Sequence, residues 1–77
     1  MKEHIETETK DARTEVWARM AIGSGMYLGS VVFNGFRFVA NVQDIAHFDD
    51  FDTKVMAIQA VASRCGFRGL EVVEVRR

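Results

Sequence analysis

Tyr27-Leu28-Gly29-Ser30-Val31-Val32-Phe33-Asn34-Gly35-Phe36-Arg37-Phe38-Val39-Ala40-Asn41-Val42 is the stretch whose reading decides the fold. Two apolar runs flank an Asn-Gly pair. A type I′ turn needs positive φ at both central residues, which glycine adopts freely and asparagine tolerates, so the pair predicts a two-residue hairpin loop. That loop sets Phe33 opposite Phe36, Val31 opposite Phe38, Gly29 opposite Ala40 and Tyr27 opposite Val42. Alternate side chains of a strand share a face. These eight residues therefore point one way, toward a core. Met26, Leu28, Ser30, Val32, Arg37, Val39, Asn41 and Gln43 point the other way.

Upstream of the hairpin, residues 12–22 fit two periods. A strand puts Val16, Ala18, Met20 and Ile22 on one face and Trp17, Arg19 and Ala21 on the other; a helix puts Ala12, Val16 and Met20 on one stripe with Gly23 as its stop. The strand is preferred because Gly23-Ser24-Gly25 turns the chain back onto the hairpin. Downstream, Phe51, Val55, Ile58, Ala62 and Cys65 recur at helical spacing. Asp50 or Asp52 suits the N-cap, Arg64 suits the negative end of the dipole, and Gly66 suits the C′ position with Phe67 folding back. Leu70-Glu71-Val72-Val73-Glu74-Val75 reads as a last strand.

The expected fold is α+β, a two-layer β-β-β-α-β arrangement. One helix, about residues 50–65, packs on a mostly antiparallel four-stranded sheet. Residues 1–11 form a flexible lead-in and residues 12–77 a single small domain. If residues 10–22 are helical, the order becomes α-β-β-α-β.

The chain has 77 residues, 48% of them hydrophobic, which suits one small globular domain and excludes disorder. It has no apolar run of about 18 residues, the length that marks a membrane span. The opening MKEHIETETKDAR is polar and acidic, unlike a signal peptide. The single cysteine, Cys65, excludes an internal disulfide and fits a reducing compartment, so a cytoplasmic location is expected. The formal net charge is −1 but is unevenly spread: residues 44–52 hold Asp44, Asp49, Asp50 and Asp52, while residues 64–77 hold four arginines against two glutamates. A near-neutral chain lacks the strongly basic footprint of a general nucleic-acid binder.

Candidate chemistry is sparse. Asp44, His47, Asp49, Asp50 and Asp52 are ligand types for hard cations, but a calcium loop starting at Asp44 would need a glycine at its sixth position and a carboxylate where Val55 stands. No metal site and no cofactor is expected. His4, His47 and Cys65 have no partner that the sequence places beside them, so no catalytic residue is assigned and the chain is read as non-enzymatic. Gly23-Ser24-Gly25 lacks the Lys-Ser/Thr of a phosphate loop.

The remaining signal is the face opposite the core. Trp17, Arg19, Leu28, Val32, Arg37 and Val39 are expected to share it, and tryptophan and arginine dominate binding hot spots. The expected function is a small protein-binding module that acts on a larger protein or complex by occlusion. Phage and bacterial accessory inhibitors, anti-CRISPR proteins among them, have this size and this lack of catalytic machinery. A homodimer contact through the same face is a variant of that reading. The alternative is nucleic-acid binding by Arg64, Arg68, Arg76 and Arg77.

Overall fold

The computed structural model describes residues 3–21, 25–43 and 45–75, the side chains of 45–48 excepted. Five strands run in chain order: β1 (His4–Lys10), β2 (Arg13–Arg19), β3 (Met26–Phe33), β4 (Phe38–Val42) and β5 (Ile45–Phe51). A helix, α1 (Lys54–Arg64), follows, and then a short strand, β6 (Val72–Glu74). The sheet is six-stranded, in the order β5-β4-β3-β2-β1-β6. Consecutive strands pair antiparallel, and β6 returns to lie parallel to β1. The α+β reading holds, with one helix packed on one face of the sheet.

The sheet is larger than the sequence suggested, at both ends. Residues 4–10, read as a lead-in, are a full strand, because Ile5 and Thr7 alternate inward and are buried while His4, Glu6 and Glu8 alternate outward. A two-residue turn at Asp11-Ala12, with Asp11 at φ 57°, closes the β1–β2 hairpin and pairs Lys10 with Arg13. Residues 45–51, read as an acidic approach to the helix, form β5 on the far side of β4. Of residues 12–22, read as a strand, Arg13–Arg19 form β2, with Thr14, Val16 and Ala18 facing the core; Ile22 lies outside the described residues.

The β3–β4 loop is longer than a two-residue turn. Phe33 pairs with Phe38 and Val32 with Val39, leaving Asn34–Arg37 as the loop. The Asn34 side chain is the reason: its Oδ1 accepts from the backbone N–H groups of Phe36 (2.9 Å) and Arg37 (2.8 Å), while the Asn34 N–H donates to the Arg37 carbonyl at 3.1 Å. The register thus slips by two residues from the expected one. A slip of two preserves every face, so Val31, Phe38 and Ala40 still point inward. Two expected core positions are corrected: Phe36 leaves the sheet for the loop tip, where it is 90% exposed, and Phe33 at the loop base is 41% exposed.

A bulge interrupts β3. Val16 pairs with Gly29 but Trp17 pairs with Tyr27, so Leu28 is an extra residue on its strand. Leu28 turns into the core and is 1% exposed, and Tyr27 is delivered to the opposite face. The chain comes so close to β4 here that a Cβ on Gly29 would collide with the Asn41 carbonyl oxygen. Only glycine fits.

The helix starts later than expected. Thr53, not Asp50 or Asp52, is the N-cap, its hydroxyl accepting from the Met56 N–H at 3.2 Å. Ala57, Ile58, Val61 and Ala62 are buried, whereas Val55 is 55% exposed. Gly66 at φ 92° and the bond from the Phe67 N–H to the Ala62 carbonyl (2.9 Å) close the C-terminus as the sequence implied. The core joins these helix residues to Ile5, Val16, Ala18, Leu28, Val31 and Ala40, with Phe38, Phe51, Cys65, Phe67, Leu70 and Val72 packed around them.

Gly29→Ala is expected to lower the unfolding free energy by about 1–3 kcal/mol, the usual range for forcing atoms into a filled space. Urea denaturation followed by circular dichroism measures it. An unchanged midpoint would refute the close approach.

Candidate protein-binding face

The face turned away from α1 carries the outward positions of the strands. On β1 these are His4, Glu6, Glu8 and Lys10; on β2 they are Arg13, Glu15, Trp17 and Arg19. The bulge adds Tyr27 from β3, and Ser30, Val32, Val39 and Asn41 follow on β3 and β4. Trp17, Arg19, Val32 and Val39 therefore share this face, with Val32 and Val39 beside Arg13 at one end of β2 and Arg19 at the other.

Two of the expected contact residues do not share the face. Leu28 is the core residue of the bulge. Arg37 sits in the exposed β3–β4 loop, where its guanidinium lies 3.5 Å from Asp50 and 3.4 Å from Asp52. Of the arginines of the alternative reading, the two that are described do not lie on this face. Arg64 ends α1, and Arg68 is exposed in the loop before β6. Arg76 and Arg77 lie outside the described residues, as do Asp44, Gly23, Ser24 and the side chain of His47. No group of three or more metal-ligating side chains occurs among the described residues. Cys65 caps α1, half-buried, with its Sγ 3.9 Å from the Leu28 carbonyl.

A connected set of side chains occupies the centre of the face. Trp17 meets Tyr27 edge-on, with ring centroids 5.6 Å apart and planes at 64°. The Tyr27 hydroxyl donates to Glu15 Oε1 at 2.6 Å, and the other oxygen of Glu15 accepts from Arg13 Nε at 2.7 Å. On the other side of Trp17, Glu6 accepts from Arg19 at 3.0 Å and lies 3.4 Å from His4. The aromatic pair is thus held between two ion pairs.

The electrostatics follow from this arrangement. Arg19, helped by His4, holds the Glu6 carboxyl below its ordinary value against the opposing effect of burial. At Glu15 burial pushes upward, but bonds from Arg13 and Tyr27 outweigh it and the carboxyl is lowered. Burial and then the bond to Glu15 push the Tyr27 phenol up. At neutral pH the two carboxylates are charged and the phenol is a donor. Two depressions flank the Arg13–Glu15 row. One, of about 500 Å³, is lined by Glu8, Lys10, Ala12 and Val32; the other, of about 410 Å³, by Ser30, Asn41, Val42 and Gln43. The face is a ridged surface, able to take protruding side chains of another molecule on either side of the row.

His4, Glu6, Arg13, Glu15 and Tyr27 did not emerge from the sequence as members of this face. The alternation of Ile5 and Thr7 with His4, Glu6 and Glu8 is the signal that identifies the first strand. No signal in the sequence announces Tyr27, which the bulge places there. No protein-family model matches the chain, and no curated protein or solved structure matches it at a significant level.

The lowered carboxylates make stability depend on pH in a definite direction. Glu6 and Glu15 contribute stability that is fully present above the unfolded glutamate value of about 4.3, and it is lost as the pH falls through their lower folded values. The thermal midpoint should therefore drop on acidification through that window, and Glu6→Gln should flatten the drop. A slope the same in Glu6→Gln as in the wild type would refute the ion pair with Arg19.

Proposed function

We propose that the protein is a non-enzymatic binding module whose ligand is another protein, engaged through the open sheet face around Trp17. The observation that carries the reading is the aromatic pair of Trp17 and Tyr27 fixed between Glu15–Arg13 and Glu6–Arg19. A tryptophan set edge-on to a tyrosine offers a large contact area with little conformational freedom left to lose, which is the property of an interface anchor. The mixed charges around it favour a protein surface over a polyanion. Glu6, Glu8 and Glu15 stand among Lys10, Arg13 and Arg19, and phosphate backbones would meet as much repulsion as attraction. The narrower form of the proposal is an inhibitor that occludes a larger assembly, as accessory anti-defence factors of phages and bacteria do. That form rests on the small size of the chain and on contact by a face.

The test pairs Trp17→Ala with Val32→Glu. Both sites are outward, so the circular dichroism spectrum should stay that of the wild type while the proteins captured from the native host by immobilised wild type are lost. Retention of the same captured set by the double variant would overturn the reading. Tight binding of the wild type to generic DNA or RNA, weakening steeply with salt, would replace it with the nucleic-acid alternative.

A further inference from the structure

Of the two depressions on the open face, the one between the Arg13–Glu15 row and β4, of about 410 Å³, has a polar floor. The buried residues Gly29 and Ser30 form that floor. Arg13 and Tyr27 stand along one side, Asn41 and Gln43 along the other. The ladder centres Ser30 in it, opposite Glu15 on β2 and Asn41 on β4.

Ser30 is only 4% exposed, yet its hydroxyl makes no hydrogen bond to any described residue. A buried hydroxyl without a partner gives up its bonds to water for nothing in return. Among the described residues no fully enclosed side-chain oxygen or nitrogen lacks a partner, so this hydroxyl opens into the depression that Ser30 lines. The side-chain amides of Asn41 and Gln43 likewise bond to no described residue. All three side chains can both donate and accept. The charged groups beside them are already committed to each other. Glu15 accepts from Arg13 Nε at 2.7 Å and from the Tyr27 hydroxyl at 2.6 Å. The Arg13–Glu15 row is therefore neutral as a whole.

We propose that this depression binds a neutral sugar, a single pyranose ring whose hydroxyl groups are met by Ser30, Asn41 and Gln43. A polyhydroxylated ring presents a donor and an acceptor on each of several adjacent carbons, which matches side chains that do both. An anion fits less well: Glu15 is charged at neutral pH, and the arginine that would attract an anion is spent on Glu15. The volume falls within the range of small-molecule sites, roughly 300–1,000 Å³. The Tyr27 ring gives the C–H groups of the sugar an apolar wall. Neither Ser30 nor Asn41 belongs to the aromatic pair around Trp17, so this site goes beyond the protein-binding reading and is lost through different substitutions.

The test is a titration of the nitrogen-15-labelled chain with the methyl glycosides of glucose, galactose, mannose and N-acetylglucosamine at millimolar concentrations. At least one glycoside should move the side-chain amide signals of Asn41 and Gln43 and the backbone signals of Gly29 and Ser30, saturably. Ser30→Ala and Asn41→Ala should each weaken that binding by about three- to tenfold, with the rest of the spectrum showing the fold retained. Met56→Ser, on the exposed side of α1, should leave it unchanged. No saturable shift with any of the four, shifts confined to other parts of the chain, or full binding by both Ser30→Ala and Asn41→Ala would each overturn the proposal. Tighter binding of acetate, inorganic phosphate or acetamide than of every glycoside would assign the site to an anion or an amide and overturn it as well.

Discussion

The contact between the β3 backbone at Gly29 and the Asn41 carbonyl on β4 governs how the two faces of the sheet are populated. Strand alternation alone would put Leu28 on the open face and Tyr27 on the core face. The extra residue at the bulge reverses both. Leu28 then fills the space beneath α1 with a branched apolar side chain, and Tyr27 moves to a place where its ring meets Trp17 and its hydroxyl reaches Glu15. A side chain at position 29 would push β3 away from β4 and undo both moves. One missing Cβ therefore underlies the packed core and the aromatic pair of the open face alike.

The second constraint is one of coverage. An 11-residue helix is about 16 Å long, whereas six paired strands span about 24 Å between the outer two. The helix contacts β2 to β5, and the β1–β6 side of the core face is completed by Phe67, Leu70 and Val72 from the returning chain. The turn end beyond Lys54 stays open. The opposite face has no second layer and is stabilised by pairs such as Glu6–Arg19 and Arg13–Glu15. Such partly exposed pairs contribute modestly, typically below about 1 kcal/mol each. Their main effect here is to fix the aromatic side chains between them.

Much of this was legible in the sequence, and the physical reasons differ by element. Residues 13–19 were readable because Val16 and Ala18 alternate with Trp17 and Arg19. The inward direction of Val31, Phe38 and Ala40 was readable despite the wrong turn length, because a two-residue slip preserves the period of two. The C-terminal cap of α1 was readable because Gly66 and Phe67 have conformational roles that neighbours do not alter. The first strand was obscured because two of its inward positions, Thr7 and Thr9, are polar by composition, although threonine's branched Cβ suits a strand. Thr7 and Thr14 fill core positions, and Thr9 bonds to the Thr14 hydroxyl at 2.9 Å. The fifth strand was obscured because its carboxylates resemble the acidic approach to a helix. Membership of the open face was missed where it depended on contacts between strands, as with Glu6 beside Arg19, and on a bulge that composition does not encode.

The two edges of the sheet bear on how another molecule can attach. A sheet edge offers unpaired N–H and C=O groups, so edge-to-edge pairing is the default hazard of an open sheet. Here β5 carries Asp49 and Asp50 at its exposed end, with Asp52 just beyond. A second negatively charged strand laid along it would meet repulsion. At the other edge β6 has only three residues, and its Glu74 is directed toward Lys54. Neither edge presents the long, flat, uncharged strand that strand addition requires. What the edges leave open to another molecule are side chains that stand clear of the backbone ladder. On this molecule those are the ridged face around Trp17 and the phenylalanine at the tip of the β3–β4 loop.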